Sequence, residues 1–546
     1  MIDSLKYAGM AGLVATILGS AAFAQSDVSQ AAVGAIQMPA LAMSGFMQAI
    51  SEETADHPAL SQFYAARDYR PLWTSGEDAP RRAAFFRALG QAQAQGLPAE
   101  SYHARALQQA FFDLKSERQR GQLEVRMSEA FLRYAQDASR GVLTPSKVDP
   151  TIVRVVERPD NLTLLREFSQ SDSPLAWLHS LAPQDPAYAK LLKAKLDLEH
   201  EIETGGWGPQ VPSSVLRPGD TGHAVLALRD RLQRMGYLSR TATARYDAQI
   251  QKAVQQYQAD QGLSADGIAG ASTLEALNVA PEERLKSLLV ALERLRWMNG
   301  MDLGKRRIWV NIADFSVKVI DDDKVTFQSV TVVGQNRPDR QTPEFSDSMD
   351  RMVINPAWHV PRSIVTKEYL PMMQRNPNAA AQIQVVDSRG QVIPRNAINF
   401  AQYTTKTFPF AMRQAPSRSN ALGLVKFLFP NKYNIYLHDT PSKSLFSKEQ
   451  RAFSHGCVRV GQPFELAYTL LAPQVTDPKS YFQRILDSGQ ETTVKITPPV
   501  PVHLVYFTAW PNAKGGIEYR KDVYGRDARL YAALHKAGVE SAALTN

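Results

Sequence analysis

Ser454-His455-Gly456-Cys457-Val458-Arg459-Val460, with Tyr436-Leu437-His438-Asp439-Thr440 a short way upstream, is the stretch that ties a fold to a chemistry. His455, Cys457 and Arg459 are spaced two apart, so on an extended strand their side chains share one face. His438 lies far enough before them for its strand to turn through a loop and return alongside. A thiol attacks only after losing its proton, and little of an unperturbed cysteine is thiolate near neutral pH. A neighbouring histidine supplies the acceptor. Gly456 puts no side chain in the way of a reacting carbonyl, which makes the backbone N–H groups around Gly456 and Cys457 candidate oxyanion donors. Arg459 suits a substrate carboxylate, held as a two-pronged pair. Ser454, Asp439 and Tyr436 complete the candidate oxyanion and substrate-binding set, beside Cys457, His438 and His455 as candidate catalytic groups.

Outward from this stretch the pattern is mostly strand. Ile308-Trp309-Val310-Asn311-Ile312 and Phe315-Ser316-Val317-Lys318-Val319 alternate, Phe327 to Val333 follows the acidic turn Asp321-Asp322-Asp323, and Val502 to Phe507 forms a late apolar run. The reading is a mostly β catalytic domain over 306–500 with a C-terminal extension over 501–546. Within it, about 363–430 is polar and proline-bearing, an insertion placed to act as a lid.

Upstream the periodicity becomes helical. Residues 211–280 open on Arg217-Pro218-Gly219-Asp220-Thr221-Gly222, then carry apolar positions at helical spacing in three runs: Val225, Leu228, Leu232 and Met235; Ile250, Val254 and Tyr257; Thr273, Leu274 and Leu277. Gly236, Gly262 and Gly267 punctuate them. This predicts a three-helix module, followed by a connecting helix over 281–305. Residues 56–210, with Leu72-Trp73, Phe85-Phe86 and Met127 to Tyr134 at helical spacing, read as a helical scaffold domain without a catalytic constellation. The whole is a multidomain α+β chain, as its 546 residues allow.

The first residues order as Lys6, an apolar stretch Ala8 to Gly19, and Ala22-Phe23-Ala24 before Gln25. That is the order of a secretory signal over 1–24, and the apolar stretch falls well short of the about twenty residues a membrane span needs. An Ala-, Ser- and Gln-rich linker is expected over 25–55. With export implied, the single cysteine becomes informative: Cys457 has no intramolecular disulfide partner. Such a thiol is either a small core residue or a used nucleophile. Hydrophobic residues at 44% and charged residues at 21% exclude disorder, and one cysteine excludes a disulfide scaffold. The net charge of +8 favours an anionic partner, and export makes nucleic acid a poor one.

Together the two site stretches resemble the L,D-transpeptidases with a YkuD-type catalytic domain, whose signature sets a histidine on one strand and a Ser/Thr-His-Gly-Cys run on a following one. The module over 211–280 resembles a peptidoglycan-binding domain, and the overall order resembles the large Gram-negative periplasmic members. The resemblance implies that Cys457 attacks the diaminopimelate carbonyl of a tetrapeptide stem, expels D-alanine and passes the acyl group from its thioester to an amine of a neighbouring stem. It implies His438 as general base, held by the backbone carbonyl just after it, with His455, Gly456 and Cys457 shaping the oxyanion site and Arg459 holding substrate. It implies carbapenems as acylating inhibitors, a periplasmic, wall-associated location, and other wall-synthesis enzymes as potential partners. Neither metal nor cofactor is called for. Many members carry glycine where this chain has Asp439. The order His438 before Cys457 opposes a papain-like peptidase, and the ten histidines lack zinc-peptidase spacing. A wall-binding protein with an inactive catalytic domain is the second reading.

Overall fold

The computed structural model describes residues 43–545 apart from 213. The expected signal and residues 25–42 of the expected linker lie outside the described residues. The rest of that linker differs from expectation, because Gly45–Glu53 is a helix. Phe46, Ala49 and Ile50 recur at helical spacing and are buried against the long helix Glu117–Arg140. Gly121 permits that approach: a Cβ there would stand 2.6 Å from the Phe46 carbonyl oxygen.

Prolines set the first turn of Pro58–Ala65, Pro174–Ser180 and Pro186–Glu203, and the side chain of Ser116 caps Glu117–Arg140 by accepting from the Gln119 N–H. These helices enclose an aromatic core in which Trp73 meets Phe85 at 5.2 Å and Phe168 at 5.4 Å between ring centres. Glu124 sits fully buried beside it. Its carboxylate accepts from Leu72 N, Trp73 N, Thr74 N and Oγ1, and the Tyr64 hydroxyl, so a polar group in the core is matched by donors.

Helices His223–Arg234, Ala248–Asp260 and Ala271–Leu277 form a small bundle around Leu228, Leu232, Val254, Tyr257 and Leu274. Gly236 (φ +79°) ends the first of them. Gln258 organises the last turn, donating to Asp266, Ile268 and Thr273 and accepting from Gly267 N.

The helix Pro281–Met298 is buried on nearly every side. Leu285, Leu288 and Leu292 pack with Pro186–Glu203, and Leu289, Val290 and Trp297 pack with the late helix Arg526–Lys536. Its Arg294 pairs with both Glu344 and Asp527, and Arg526 adds a second bond to Glu344 at 3.2 Å. Asp149 of the helical region closes the cluster through Arg529 at 2.6 Å. Buried charges persist only with such partners, so this cluster fastens four parts of the chain together.

The catalytic region is built on strands β1 (Arg306–Asn311), β2 (Ser316–Asp321), β3 (Lys324–Gly334), β4 (Phe345–Ile354), β5 (Trp358–His359), β6 (Gln384–Val386), β7 (Ala411–Gln414), β8 (Val425–Leu428), β9 (Leu437–His438), β10 (Ala452–Ser454), β11 (Val458–Val460) and β12 (Thr492–Val505). Nine of them form one sheet in the order β10-β3-β11-β9-β8-β4-β12-β1-β2, with β2 and β3 also paired. β2 and β3 join through Asp322 and Asp323, both at positive φ, as a tight hairpin requires. β12 crosses the expected boundary at 500, since Val502–Val505 pair in parallel with Ile308–Asn311. The apolar face of these residues belongs to the sheet core, so the sheet continues into the expected extension.

β5, β7 and β6 form a separate three-stranded sheet over a second core of Trp358, Val365, Met373, Phe400, Phe408 and Met412. This is the insertion, and it is a folded subdomain. It begins at Trp358 and ends before Val425, because Val425 and Phe427 alternate inward as part of β8 in the main sheet. No helix among the described residues is long and apolar enough to cross a membrane.

Candidate active site

β9 and β11 pair in parallel, with Leu437 opposite Val458 and His438 opposite Arg459. Leu437 and Val458 are fully buried in the core. Strand alternation therefore sends their neighbours Tyr436, His438, Cys457 and Arg459 to the other face. The Val458 N–H donates to the Tyr436 carbonyl at 3.1 Å, which extends the register to Cys457. The structure thus brings four sequence-predicted residues to one surface.

His455 does not share it in the expected way. Residues 455–457 are a bend between β10 and β11, with Gly456 at φ +121°, a conformation that favours glycine. The bend is held from both sides. Ser454 Oγ accepts from the Gly456 N–H at 3.1 Å and donates to the Cys457 carbonyl at 2.5 Å, while Thr342 Oγ1 donates to the Gly456 carbonyl at 2.7 Å. The Gly456 N–H is therefore engaged by Ser454, contrary to its expected role as an oxyanion donor. His455 turns toward the insertion, where its Nε2 lies 2.8 Å from Glu368 Oε1.

His438 is buried, and its Nδ1 faces the Asp439 carbonyl at 2.5 Å. That contact fixes the orientation of the ring. Burial, and then the Arg459 charge, drive its pKa down to about 3 against the carbonyls of Asp439 and Leu422. Burial pushes the Cys457 thiol up to about 11, although hydrogen bonds from Tyr436 and the Arg459 charge oppose it. At neutral pH both groups are therefore uncharged, a thiol and an imidazole. The thiol donates to the Asn434 carbonyl at 3.5 Å.

Tyr436 packs edge-on against His438 at 5.6 Å, and burial followed by the Cys457 charge raises its hydroxyl well above the ordinary range. A hydroxyl that keeps its proton is a donor for sulfur. Arg459 is half-buried and its Nε has no hydrogen-bond partner among the described residues. Asp439 differs from its expected substrate-binding role. Its carboxylate is buried and accepts from Leu424 N at 2.9 Å, Thr440 N at 2.7 Å and Lys443 Nζ at 2.5 Å. Gly423 makes the room, since a Cβ there would lie 2.3 Å from Asp439 Cγ. The side chain that replaces glycine after the histidine is thus accommodated by a glycine on the facing segment.

Sequence reasoning missed Glu368, Arg340, Asn434, Thr342 and Gly423. They lie on other segments, and only chain folding brings them to the bend. Among the described residues no group of three or more His, Cys, Asp or Glu is arranged to hold a metal ion.

The fold and site define a cysteine–histidine site on a mostly β sheet, and comparison with known proteins shows what its parts resemble. Residues 305–496 match the model of the L,D-transpeptidase catalytic domain, residues 58–194 that of a scaffold domain, and residues 221–277 that described as "Putative peptidoglycan binding domain". The match to the catalytic-domain model is confined to 305–496, about a third of the chain. It is 33% identical over 250 residues to a Haemophilus influenzae protein named "Putative L,D-transpeptidase". The match takes in 45% of this chain, and it spans about half (49%) of that relative's length. A crystal structure of the L,D-transpeptidase (residues 123–326) from Xylanimonas cellulosilytica is 16% identical, with a TM-score of 0.16, covering 54% of this chain and 98% of that one.

Proposed function

We propose that this chain is an exported peptidoglycan L,D-transpeptidase. The observation that carries the reading is the register of β9 against β11, which sets Cys457 and Tyr436, and His438 and Arg459, on one face, with His438 braced by the Asp439 carbonyl. In this reading Cys457 leaves Asn434 when substrate enters, gives its proton to His438, and attacks the diaminopimelate carbonyl of a tetrapeptide stem. The neutral imidazole accepts that proton only as the S–C bond forms, so no free thiolate stands exposed beforehand. With the Gly456 amide engaged, the Cys457 N–H serves the developing oxyanion, and the Tyr436 hydroxyl steadies the sulfur. His438, now protonated, hands its proton to the departing D-alanine nitrogen. The thioester is then taken by an amine of a neighbouring diaminopimelate, which regenerates the thiol.

The matches to the scaffold and wall-binding models support the domain order of helical scaffold (56–210), peptidoglycan-binding module (211–280), connecting helix (281–305) and catalytic region. Peptidoglycan stems are the partners this implies, at a periplasmic, wall-associated location reached through the signal at 1–24. In this reading the insertion, whose Glu368 reaches His455 at the bend, keeps water from the thioester.

The test is mass spectrometry of disaccharide-tetrapeptide fragments incubated with wild type and Cys457→Ala. The expected result is loss of D-alanine with a diaminopimelate-linked dimer, absent in the variant, together with a carbapenem adduct on Cys457 of the wild type alone. Unchanged fragments and no adduct would move the reading to a wall-binding protein.

A further inference from the structure

Beside the nucleophile, an arginine and an imidazole converge on one oxygen. Arg340 Nη2 donates to Glu368 Oε1 at 2.6 Å, and His455 Nε2 lies 2.8 Å from that same atom. Arg340 also donates to Gln335 Oε1 at 3.2 Å, and its backbone carbonyl flanks the bend, 3.8 Å from where a Gly456 Cβ would stand. His455 is two residues from Cys457. Arg340 and His455 thus belong to the segments that shape the nucleophile's surroundings. The carboxylate comes from elsewhere, on Val365–Tyr369 of the insertion.

The chemistry of the pocket is that of a carboxylate receptor. An arginine and an imidazole meeting at one oxygen is how a carboxylate is recognised, and both are rooted in the catalytic sheet or its loops. The occupant is neither deeply buried nor packed in: Glu368 is 33% exposed and His455 34%, so solvent reaches both. The other charged neighbours leave the balance intact, because Lys367 of the insertion pairs with Asp339 at 3.4 Å. Glu368 can therefore leave without stranding a buried charge, provided another carboxylate replaces it.

A stem ending in a D-amino acid carries such a carboxylate one residue beyond the carbonyl that Cys457 attacks. We propose that Arg340 and His455 form the receptor for the terminal carboxylate of the donor stem, and that Glu368 of the insertion occupies it in the free protein as a displaceable stand-in. This rests on the transpeptidase reading and deepens it. Substrate entry exchanges one carboxylate for another, releases the insertion's hold on the bend, and makes a free terminal carboxylate a condition of opening. A stem without it leaves Glu368 in place.

The experiment uses the full chain carrying Cys457→Ala, which blocks turnover, and compares calorimetric binding of a disaccharide-tetrapeptide with that of the same fragment amidated at its terminus. Adding Glu368→Gln, which keeps the shape and removes the charge, is expected to tighten the free acid about tenfold, the scale of one charge-assisted hydrogen bond, and to leave the amide within about twofold. Arg340→Gln is expected to erase the preference for acid over amide, with thermal midpoints confirming that each variant folds. Equal effects of Glu368→Gln on acid and amide, or weaker binding of both, would overturn the proposal and leave Glu368 as a simple strut. Failure of the transpeptidase reading shows separately, as wild type that releases no D-alanine; failure of this proposal alone shows as normal release with acid and amide bound alike.

Discussion

The neutral state of the Cys457–His438 pair makes a quantitative claim about reactivity. A pKa of about 11 leaves roughly one Cys457 in 10⁴ as thiolate at pH 7. An unperturbed cysteine has a few per cent, so the resting thiol should alkylate roughly 300-fold more slowly than free cysteine. The sign follows from the direction of the shifts. The thiol's pKa is raised, so the rate should climb about tenfold per pH unit from 6 to 9, with no plateau in that window. His438, lowered to about 3, is already neutral there and adds no step. Perturbation is by pH alone, and because Cys457 is the only cysteine, iodoacetamide incorporation followed by mass spectrometry reports on it without interference. Unfolded protein in denaturant is the internal control and should level off above its ordinary pKa. A sigmoid centred at or below pH 7 would refute the reasoning, since it would require a preformed thiolate–imidazolium pair. A carbapenem, which binds before it reacts, should escape the steep dependence if substrate drives the proton transfer.

Two further outcomes concern the frame of the site and the scaffold. Gly423→Ala places a methyl 2.3 Å from Asp439 Cγ at a backbone φ of +64°, and should destabilise by about 2–4 kcal/mol in urea unfolding; Asp439→Gly in the same chain should recover part of that loss, and a strictly additive double variant would argue against the contact. Trp73→Ala, which empties the scaffold's aromatic core and removes the bond from its Nε1 to Ser128 Oγ at 2.8 Å, should cost about 3–5 kcal/mol while leaving the acylation rate of the folded fraction unchanged.

The candidate residues could be proposed from the sequence because chemistry restricts the choice. A lone cysteine after an apparent signal, two residues from one histidine and a strand away from another, has few uses, and strand alternation sets Arg459 on the same face as Cys457 without reference to the rest of the chain. The same alternation misled at His455. One positive φ at Gly456 breaks the strand between the two residues, and periodicity carries no information about a single backbone torsion. Asp439 was misjudged for a related reason. A carboxylate beside a candidate catalytic histidine looks available until the facing segment is known, and Gly423 with the Leu424 amide takes it out of reach. The helix Gly45–Glu53 escaped notice because its apolar face is short and its neighbours Ala- and Ser-rich, and its stability comes from Glu117–Arg140 rather than from its own propensity.

By itself the sequence determined the nature of the parts: helical scaffold, small helical module, strand-rich region, and the histidine and cysteine as its candidate reactive groups. Those follow from local periodicity and from which side chains can do the chemistry. Tertiary structure alone decided how they meet. It paired β9 with β11 in parallel at a register that faces His438 with Arg459, ran β12 through the expected domain boundary, gave the insertion a core of its own, and set Glu368 between Arg340 and His455. The physical reason is that burial selects among many pairings compatible with the same local pattern. Which segments lie together, and hence which charge neutralises which, depends on the sum of contacts over the whole chain and cannot be read from any stretch of it.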